Sequence, residues 1–351
     1  MSHATSTASG ALKALAEALG GHRHCAVLDF PDYGNVGDSA IWLGQIEALK
    51  RLGVGIDYVA NHHSLSPTIL RRRMKKGVIL INGGGNFGTL WPMLQAHRER
   101  VLAEFTDYPV VQLPQSIFYE DETAIDRTRA LIAGHPDFTL MVRDQPSLKI
   151  AKEQLGAKTI LCTDSAFFLA DKLRRRNAVV DILVLARTDK EKVTSGLEDS
   201  LAKSGQTYEI ADWVDDPMNI SRKIALKLWR RAFGRLTSIP GFFGALTAVW
   251  NSVARKRVER GSSLLSRGRV VITDRLHGHI MCTLLNIPHV VLDNSYGKVQ
   301  SFIAEWTHAN PLVHRASSAD VAVHKALALL KHQEPQVVDP GDVADFQPTR
   351  V

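Results

Sequence analysis

Cysteine is almost missing: Cys25, Cys162 and Cys282 are the only three thiols in a chain of 351 residues. An odd, widely spaced set excludes a disulfide framework and offers no metal-ligand spacing. Cys162 and Cys282 lie in or beside apolar runs and read as buried thiols, which suits a reducing compartment. Long hydrophobic runs are missing too. No stretch of about 18 apolar residues occurs, so nothing reads as a membrane span. The opening residues MSHATSTASG are small and polar and lack the charged start and apolar run of a secretion signal. The cytosol is the expected compartment. Aromatic residues make up 7% of the chain. That is too few for the base-stacking platforms of a single-strand binder, and no nucleic-acid partner is expected. GGGN (83–86) is not read as the dinucleotide-binding GxGxxG fingerprint, and no GxxxxGK[ST] loop is present.

What is present is the composition of a globular protein, 45% hydrophobic and 23% charged. The length suggests two domains at roughly 100–200 residues each. The net charge is +7, but the segment Arg222–Arg269 alone carries twelve Lys/Arg against one acidic residue, Glu259. The remainder therefore sums to −4, and the basicity describes one surface.

Short apolar runs alternate with helical patterns along most of the chain. Strands are expected near 25–30, 54–60, 77–82, 108–114, 138–144 and 158–164. Helices are expected between them, with an opening helix at 11–20. A polar stretch, LADKLRRRNA (169–178), breaks the order. The alternation restarts with strands near 181–187, 207–213, 269–274 and 287–294, and ends with helices near 298–306 and 318–332. This pattern predicts parallel sheets covered by helices. The expected domains are 1–172 and 173–335, the second carrying a basic helical insertion at about 215–262, followed by a tail at 336–351.

In parallel sheets, ligands bind beyond the carboxyl ends of the strands, and polar residues collect there in this sequence. Asn35 and Asp38 sit in the glycine-hinged loop PDYGNVGDSA, where Asp38 either caps the next helix or accepts a proton from a sugar hydroxyl. GGGN (83–86) follows a buried strand. Gly84, Gly85 and Asn86 would bring backbone N–H groups at a helix start close to an anion, or would simply make a tight turn. Gln115 follows the next strand. Arg143 ends FTLMV and needs a partner, either the adjacent Asp144 or an anionic ligand. The loop TDRLHGHIM carries the most chemistry. Arg275 can fork onto a carboxylate or phosphate, and His277 can give or take a proton near neutrality. His279 reads as a helix-start residue bonded to backbone. The loop has no third ligand at a spacing that suits zinc. SYGK (295–298) follows the last strand, with Tyr296 and Lys298 as further polar candidates.

Taken in order, GNVGDSAI (34–41), INGGGNFG (81–88), LPQSI (113–117), VRDQPS (142–147), CTDSAF (162–167), TDRLHGHI (273–280) and DNSYGK (293–298) resemble the polysaccharide pyruvyl transferase family. The resemblance covers about 25–305, with the basic segment as an interruption. It implies two Rossmann-like domains facing a cleft, as in GT-B transferases. It also implies phosphoenolpyruvate as donor, no cofactor and no metal, and a pyruvate ketal formed on a hydroxyl pair of a polymeric or lipid-linked saccharide. The family's Arg-Leu-His motif falls on Arg275, Leu276 and His277, and its Arg-Asp arginine on Arg143. The expected roles follow. Arg143 and Arg275, with Leu276, Lys298 and the glycine loop, hold the donor. His277 is the general acid and Asp38 the base. Asn35, Gln115 and Tyr296 meet the acceptor. Two rivals stand beside this reading: a nucleotide-sugar transferase of the same architecture, and a non-enzymatic polyanion- or membrane-binding protein. The basic segment contains KIALKLWRRAFGRL (223–236) and GALTAVWNSVARKRVERG (244–261), and Ile224, Leu228 and Trp229 recur at helical spacing with Lys and Arg between them. They read either as a helix packed on its domain or as a peripheral contact, through 222–261, with anionic membrane.

Overall fold

The computed structural model describes residues 2–186, 196–213, 242–292 and 297–331. By internal contacts the chain divides into two compact units. Unit 1 comprises Met1–Asp171, Val214–Val258 and Ser301–Trp306, and unit 2 the rest. The described part of the basic segment therefore groups largely with unit 1, whereas the sequence assigns it to the second domain.

Unit 1 is built on seven parallel strands: β1 (His24–Leu28), β2 (Gly55–Ala60), β3 (Val78–Ile81), β4 (Gly84–Gly88), β5 (Val110–Phe118), β6 (Phe138–Val142) and β7 (Lys158–Leu161). The sheet order is β2-β1-β3-β5-β6-β7, and β4 pairs separately with β5. Its helices are α1 (His3–Ala18), α2 (Val36–Arg51), α3 (Pro67–Arg73), α4 (Pro92–Glu104), α5 (Glu122–Gly134) and α6 (Gln145–Lys149). Continuous apolar runs such as VILI in β3 are buried on every residue, as a sheet covered on both faces requires. Asn35 begins α2, its side chain accepting from the Gly37 N–H at 2.9 Å. Asp38 stands in the first turn and is not the cap.

Unit 2 has five parallel strands: β8 (Val180–Leu185), β9 (Tyr208–Ala211), β10 (Gly268–Thr273), β11 (His289–Leu292) and β12 (Val313–Ala316). Their order is β12-β11-β10-β8-β9. The helices are α7 (Leu197–Ala202), α8 (Phe242–Ser266), α9 (Leu276–Leu284), α10 (Lys298–Phe302) and α11 (Ala319–Lys331). Of these, α8 belongs to unit 1 as far as Val258, and Ser301 and Phe302 of α10 belong to unit 1 as well. A second core of Ile182, Val184, Val270, Ile272 and Val290 is packed by α11.

Counted along the chain with β4 set aside, both sheets begin with the order 2-1-3-4-5. In each, the order reverses beside the first strand, between β1 and β3 in unit 1 and between β8 and β10 in unit 2. Loops leaving neighbouring strands there run to opposite faces and leave a crevice at the carboxyl ends.

Two expectations need correction. GGGN does not lead into a helix. Residues 84–88 run as β4 beside β5, with Gly84 opposite Gln115 and Gly88 opposite Phe118, and α4 starts only at Pro92. The strand expected near 108–114 does not end there, because β5 continues to Phe118 and Gln115 lies within it. The two corrections share a cause. Glycine carries no apolar pattern, so a glycine strand is invisible to periodicity, as is the extra length of the strand it pairs with.

The described half of the basic segment buries its apolar stripe. Trp250, Ala254, Val258 and Leu265 of α8 are all interior, while Arg255, Lys256 and Glu259 face outward. This stripe is spent on packing and offers nothing to a membrane. Residues 223–236 lie outside the described residues. Among the described residues, no helix is long and apolar enough to cross a membrane.

Helix α2 lies unusually close to the turn Ser165–Leu169. A Cβ on Gly44 would fall 1.9 Å from the Ser165 carbonyl oxygen, whereas a Cβ on Gly10 in α1 would meet nothing within 4 Å. Gly44→Ala is expected to cost about 1–3 kcal/mol or more by forcing the two elements apart. Gly10→Ala should stabilise by about 0.5–1 kcal/mol. Denaturant unfolding of both variants checks the opposite signs.

Candidate active site

In unit 1, the loops after β1 and β3 bring together Asn35, Asp38, Gly84, Gly85 and Asn86, with Gln115 and Arg143 from β5 and the end of β6. A Cβ on Gly84 would lie 3.6 Å from Asp38 Oδ1, and one on Gly85 3.1 Å from Arg143 Nη2. The bare glycine backbone thus lies between the carboxylate and the guanidinium, and any side chain at Gly85 would crowd the arginine.

Arg143 is 3% exposed. Its Nη1 is bonded to Asp164, its Nε donates to Ser116 Oγ at 2.9 Å, and its carbonyl accepts from Trp306 Nε1 at 2.8 Å. The partner is therefore Asp164 and not the adjacent Asp144. Asp144 is already committed, capping α6 at the Ser147 N–H and accepting from Ser116 Oγ. The sequence marks Asp164 only as one of the polar residues that follow strands, and it does not mark Trp306. An Asp in CTDSAF was visible, but nothing local tied it to a residue 21 positions away.

Gln115 and Asn86 face the interior. Gln115 Nε2 donates to Asn86 Oδ1 and to the Asn82 carbonyl, and its Oε1 accepts from the Asn86 N–H. Asn86 Oδ1 also accepts from Arg98 Nη2 at 2.8 Å. Arg98 is deeply buried, 1% exposed, with its guanidinium 4.4 Å from the Phe87 ring centroid. Its Nε donates to Gln112 Oε1 at 2.6 Å and its Nη1 to Gln95 Oε1 at 2.7 Å. Burial pulls its pKa down to about 10, against the pull of Asp29. Gln115, Asn86 and Arg98 together form the frame that holds β4 in place.

The loop after β1 is clamped by α8. Phe30 stacks flat on Trp250 at 4.5 Å and meets Trp42 edge-on at 5.0 Å. Trp42 Nε1 donates to Asn251 Oδ1, and Arg257 Nη1 donates to the Pro31 carbonyl. Sequence reading assigned this helix no part in the site.

In unit 2, the loop after β10 carries Arg275, Leu276 and His277. Arg275 is the residue before α9, and its N–H donates to Thr273 Oγ1. Its Nη2 reaches both carboxylate oxygens of Asp212, at 2.8 and 2.6 Å. Asp212 follows β9 and was not singled out from the sequence. His277 is half-buried in the first turn of α9. Gly278 lets the helix sit down on the sheet, since a Cβ there would fall 2.4 Å from Thr273 Oγ1 and 3.0 Å from Leu185. Of Lys298 only the backbone, at the start of α10, is described, and Tyr296 lies outside the described residues. Among the described residues, no group of His, Cys, Asp and Glu could hold a metal ion.

His279 is fully buried and bonded to side chains, not to the backbone partner expected from the sequence. His289 Nδ1 lies 2.7 Å from the Ile287 carbonyl, so that nitrogen carries the proton. His289 Nε2 then accepts from His279 Nδ1 at 2.8 Å, and His279 Nε2 accepts from Thr307 Oγ1 at 2.9 Å. Burial lowers His289 to about 4 from an ordinary 6.5. The unfolded chain therefore takes up this proton first as pH falls. The stability from a neutral His289 is whole above about pH 6.5 and is lost towards pH 4, at a limiting slope of about 1.4 kcal/mol per pH unit. Hydrogen exchange at β10 and β11, corrected for intrinsic rates, should show this loss between pH 7 and 5. Constant protection would contradict it.

The chain is similar to Pyruvyl transferase 1 of Schizosaccharomyces pombe, 31% identical over 88% of this chain and 76% of that protein. It is also similar to Putative pyruvyl transferase EpsO of Bacillus subtilis, 27% identical over 83% of this chain and 89% of that one. A solved structure of an uncharacterised Klebsiella pneumoniae protein matches with a TM-score of 0.55 at 16% identity, covering 89% of this chain and 99% of that one, a likeness of fold alone. The family model for polysaccharide pyruvyl transferase matches residues 35–296, a span that opens at the cap of α2 and includes both arginine sites. The chain belongs to the polysaccharide pyruvyl transferase family.

Proposed function

We propose that the protein moves the pyruvyl group of phosphoenolpyruvate onto a hydroxyl pair of a saccharide, closing a pyruvate ketal. The acceptor is a bacterial envelope or exopolysaccharide unit or its lipid-linked precursor. The observation that carries this reading is the start of α9. There a guanidinium held in place by Asp212 and an imidazole two residues on stand at the strand-order reversal of the unit 2 sheet. An anion with a carboxylate and a phosphate suits a forked cation, and an enol carbon that must be protonated suits a histidine.

In this reading Arg143 and Arg275 hold the donor's two anionic groups, and His277 protonates the methylene carbon. Carbon 2 becomes electrophilic, and a sugar hydroxyl attacks it while Asp38 receives the hydroxyl proton. Phosphate departs and the second hydroxyl closes the ring. The Asp partners keep both guanidiniums oriented before the donor arrives, so little ordering remains to be done on binding. The acceptor side rests on Asn35, Asp38 and the glycine backbone of β4. Gln115, expected to meet the acceptor, supports that backbone from within.

Incubation with phosphoenolpyruvate and a panel of methyl hexosides, read by phosphate release and mass gain on the sugar, tests the reaction. Phosphate release that requires a sugar diol supports it. Calorimetric binding of nucleotide sugars with none of phosphoenolpyruvate overturns it. His277→Ala is expected to bind phosphoenolpyruvate within a fewfold of wild type while turnover falls by about 10²–10⁴. Near-normal turnover would remove His277 from its role.

A further inference from the structure

The polar stretch LADKLRRRNA (169–178), which the scheme above leaves without a role, forms one side of a cavity. The cavity measures about 520 Å³ and is lined by Arg176, Asn177, Val179, Ser263, Leu264 and Arg267. All of these residues belong to unit 2. Arg176, Asn177 and Val179 come just before β8, Ser263 and Leu264 from the last turn of α8, and Arg267 from the link between α8 and β10. The cavity therefore lies at the amino-terminal ends of β8 and β10, whereas Arg275 and His277 follow the carboxyl end of β10. The 6 residues of β10, at about 3.3 Å each, put about 20 Å between the two ends.

Hydrogen bonds fix the walls. The Arg267 carbonyl accepts from the Val179 and Val180 N–H groups at 2.8 and 2.9 Å, and the Arg267 N–H donates to the Leu264 carbonyl at 3.0 Å. Arg267 Nε donates to Glu209 Oε2 of β9 at 2.7 Å. Arg175 Nη2 donates to the Gly268 and Arg269 carbonyls at 3.3 and 3.1 Å, and Arg269 Nη1 to Asp181 Oδ1 at 3.0 Å. Arg176 differs from these neighbours. It is exposed and, among the described residues, has neither an ion pair nor a hydrogen bond.

The charge here is one-sided. None of the lining side chains is acidic. Arg267 is offset by Glu209, and Arg269 by Asp181. The carbonyl end of α8 brings about half a negative charge, against the full positive charges of Arg175 and Arg176. The balance attracts an anion, and guanidiniums fork onto phosphate in particular. The rest of the lining suits a sugar. Asn177 can donate and accept, and Ser263 Oγ, already donating to the Glu259 carbonyl, can accept from a hydroxyl. Val179 and Leu264 offer an apolar wall to the C–H face of a pyranose. None of the lining side chains is aromatic, so a nucleotide base would have nothing to stack on. The volume falls within the roughly 300–1,000 Å³ of small-molecule sites.

We propose that this cavity is a second ligand site, for a sugar phosphate, with the phosphate between Arg176 and Arg267 and the sugar against Val179 and Leu264. The site does not depend on the pyruvyl-transfer reading, because none of its residues enters that scheme. A free sugar phosphate and a phosphate-linked sugar on a lipid carrier share this chemistry.

Methyl NMR of the full chain reads the cavity through the Val179 and Leu264 signals, assigned with Val179→Ile and Leu264→Met. These signals keep the readout clear of any anion bound at Arg275. Glucose 1-phosphate should shift both, with a Kd below about 1 mM. Inorganic phosphate and methyl glucoside should each bind at least about tenfold more weakly, since each makes only part of the contacts. Arg176→Ala should also weaken glucose 1-phosphate at least about tenfold, with Tm unchanged because the side chain is exposed. Unmoved methyl signals in the wild type overturn the proposal, as does inorganic phosphate binding as tightly as the sugar phosphate, or unchanged affinity in Arg176→Ala. A glucose phosphodiester carrying an octyl chain, titrated in parallel, separates the two sources. Binding tighter than that of glucose 1-phosphate assigns the site to the lipid-linked form, and weaker binding assigns it to the free one.

Discussion

Arg98 is a buried cation, and the first site is arranged about its needs. A buried guanidinium must have its N–H groups met, or its burial costs several kcal/mol. Gln112, Gln95 and Asn86 meet them, and each belongs to a different part of the site's foundation: β5, α4 and β4. The glycine strand has one core side chain, Phe87, and its ring lies under the Arg98 guanidinium. Its hydrogen bonds also lead back to this arginine, directly through Asn86 and indirectly through Gln115. The same charge opposes the burial that lifts Asp29, just after β1, to about 7. Without Arg98, the glycine backbone and the carboxyl at the end of β1 would both lose their reference point.

The two units solve one problem twice. Each sheet reverses its strand order beside its first strand, and each presents an arginine from a strand end held by an aspartate from elsewhere in its own unit. Arg143 has Asp164 and Arg275 has Asp212. A buried ion pair adds little net stability, because desolvation offsets most of its attraction. What it supplies is orientation, and a planar cation that must grip an anion in one geometry has a use for that.

Much of this was open to reading along the chain. Parallel strands announce themselves as runs like VILI and FTLMV, because a strand covered on both faces has no polar side to show. Arg275 and His277 were legible because they interrupt an apolar strand and an apolar helix with groups of clear chemistry. Their supports were not. Asp164, Asp212 and Trp306 act across the fold, and local sequence carries no record of such distances. Trp250 was hidden too, because a tryptophan in a basic helical stretch looks alike whether it meets lipid or Phe30.

The stacking of Trp250 on Phe30 also bears on how the protein is made. The first unit holds its own β1–β7 sheet, yet one wall of its core comes from α8, after β8, α7 and β9 of the other unit have been synthesised. During synthesis, Phe30 and Trp42 must wait without that cover while more than two hundred residues leave the ribosome. Folding from the amino terminus, the usual habit of multidomain chains, stops here at an unfinished intermediate. Until α8 is made and closes over Phe30 and Trp42, this core lacks one of its walls.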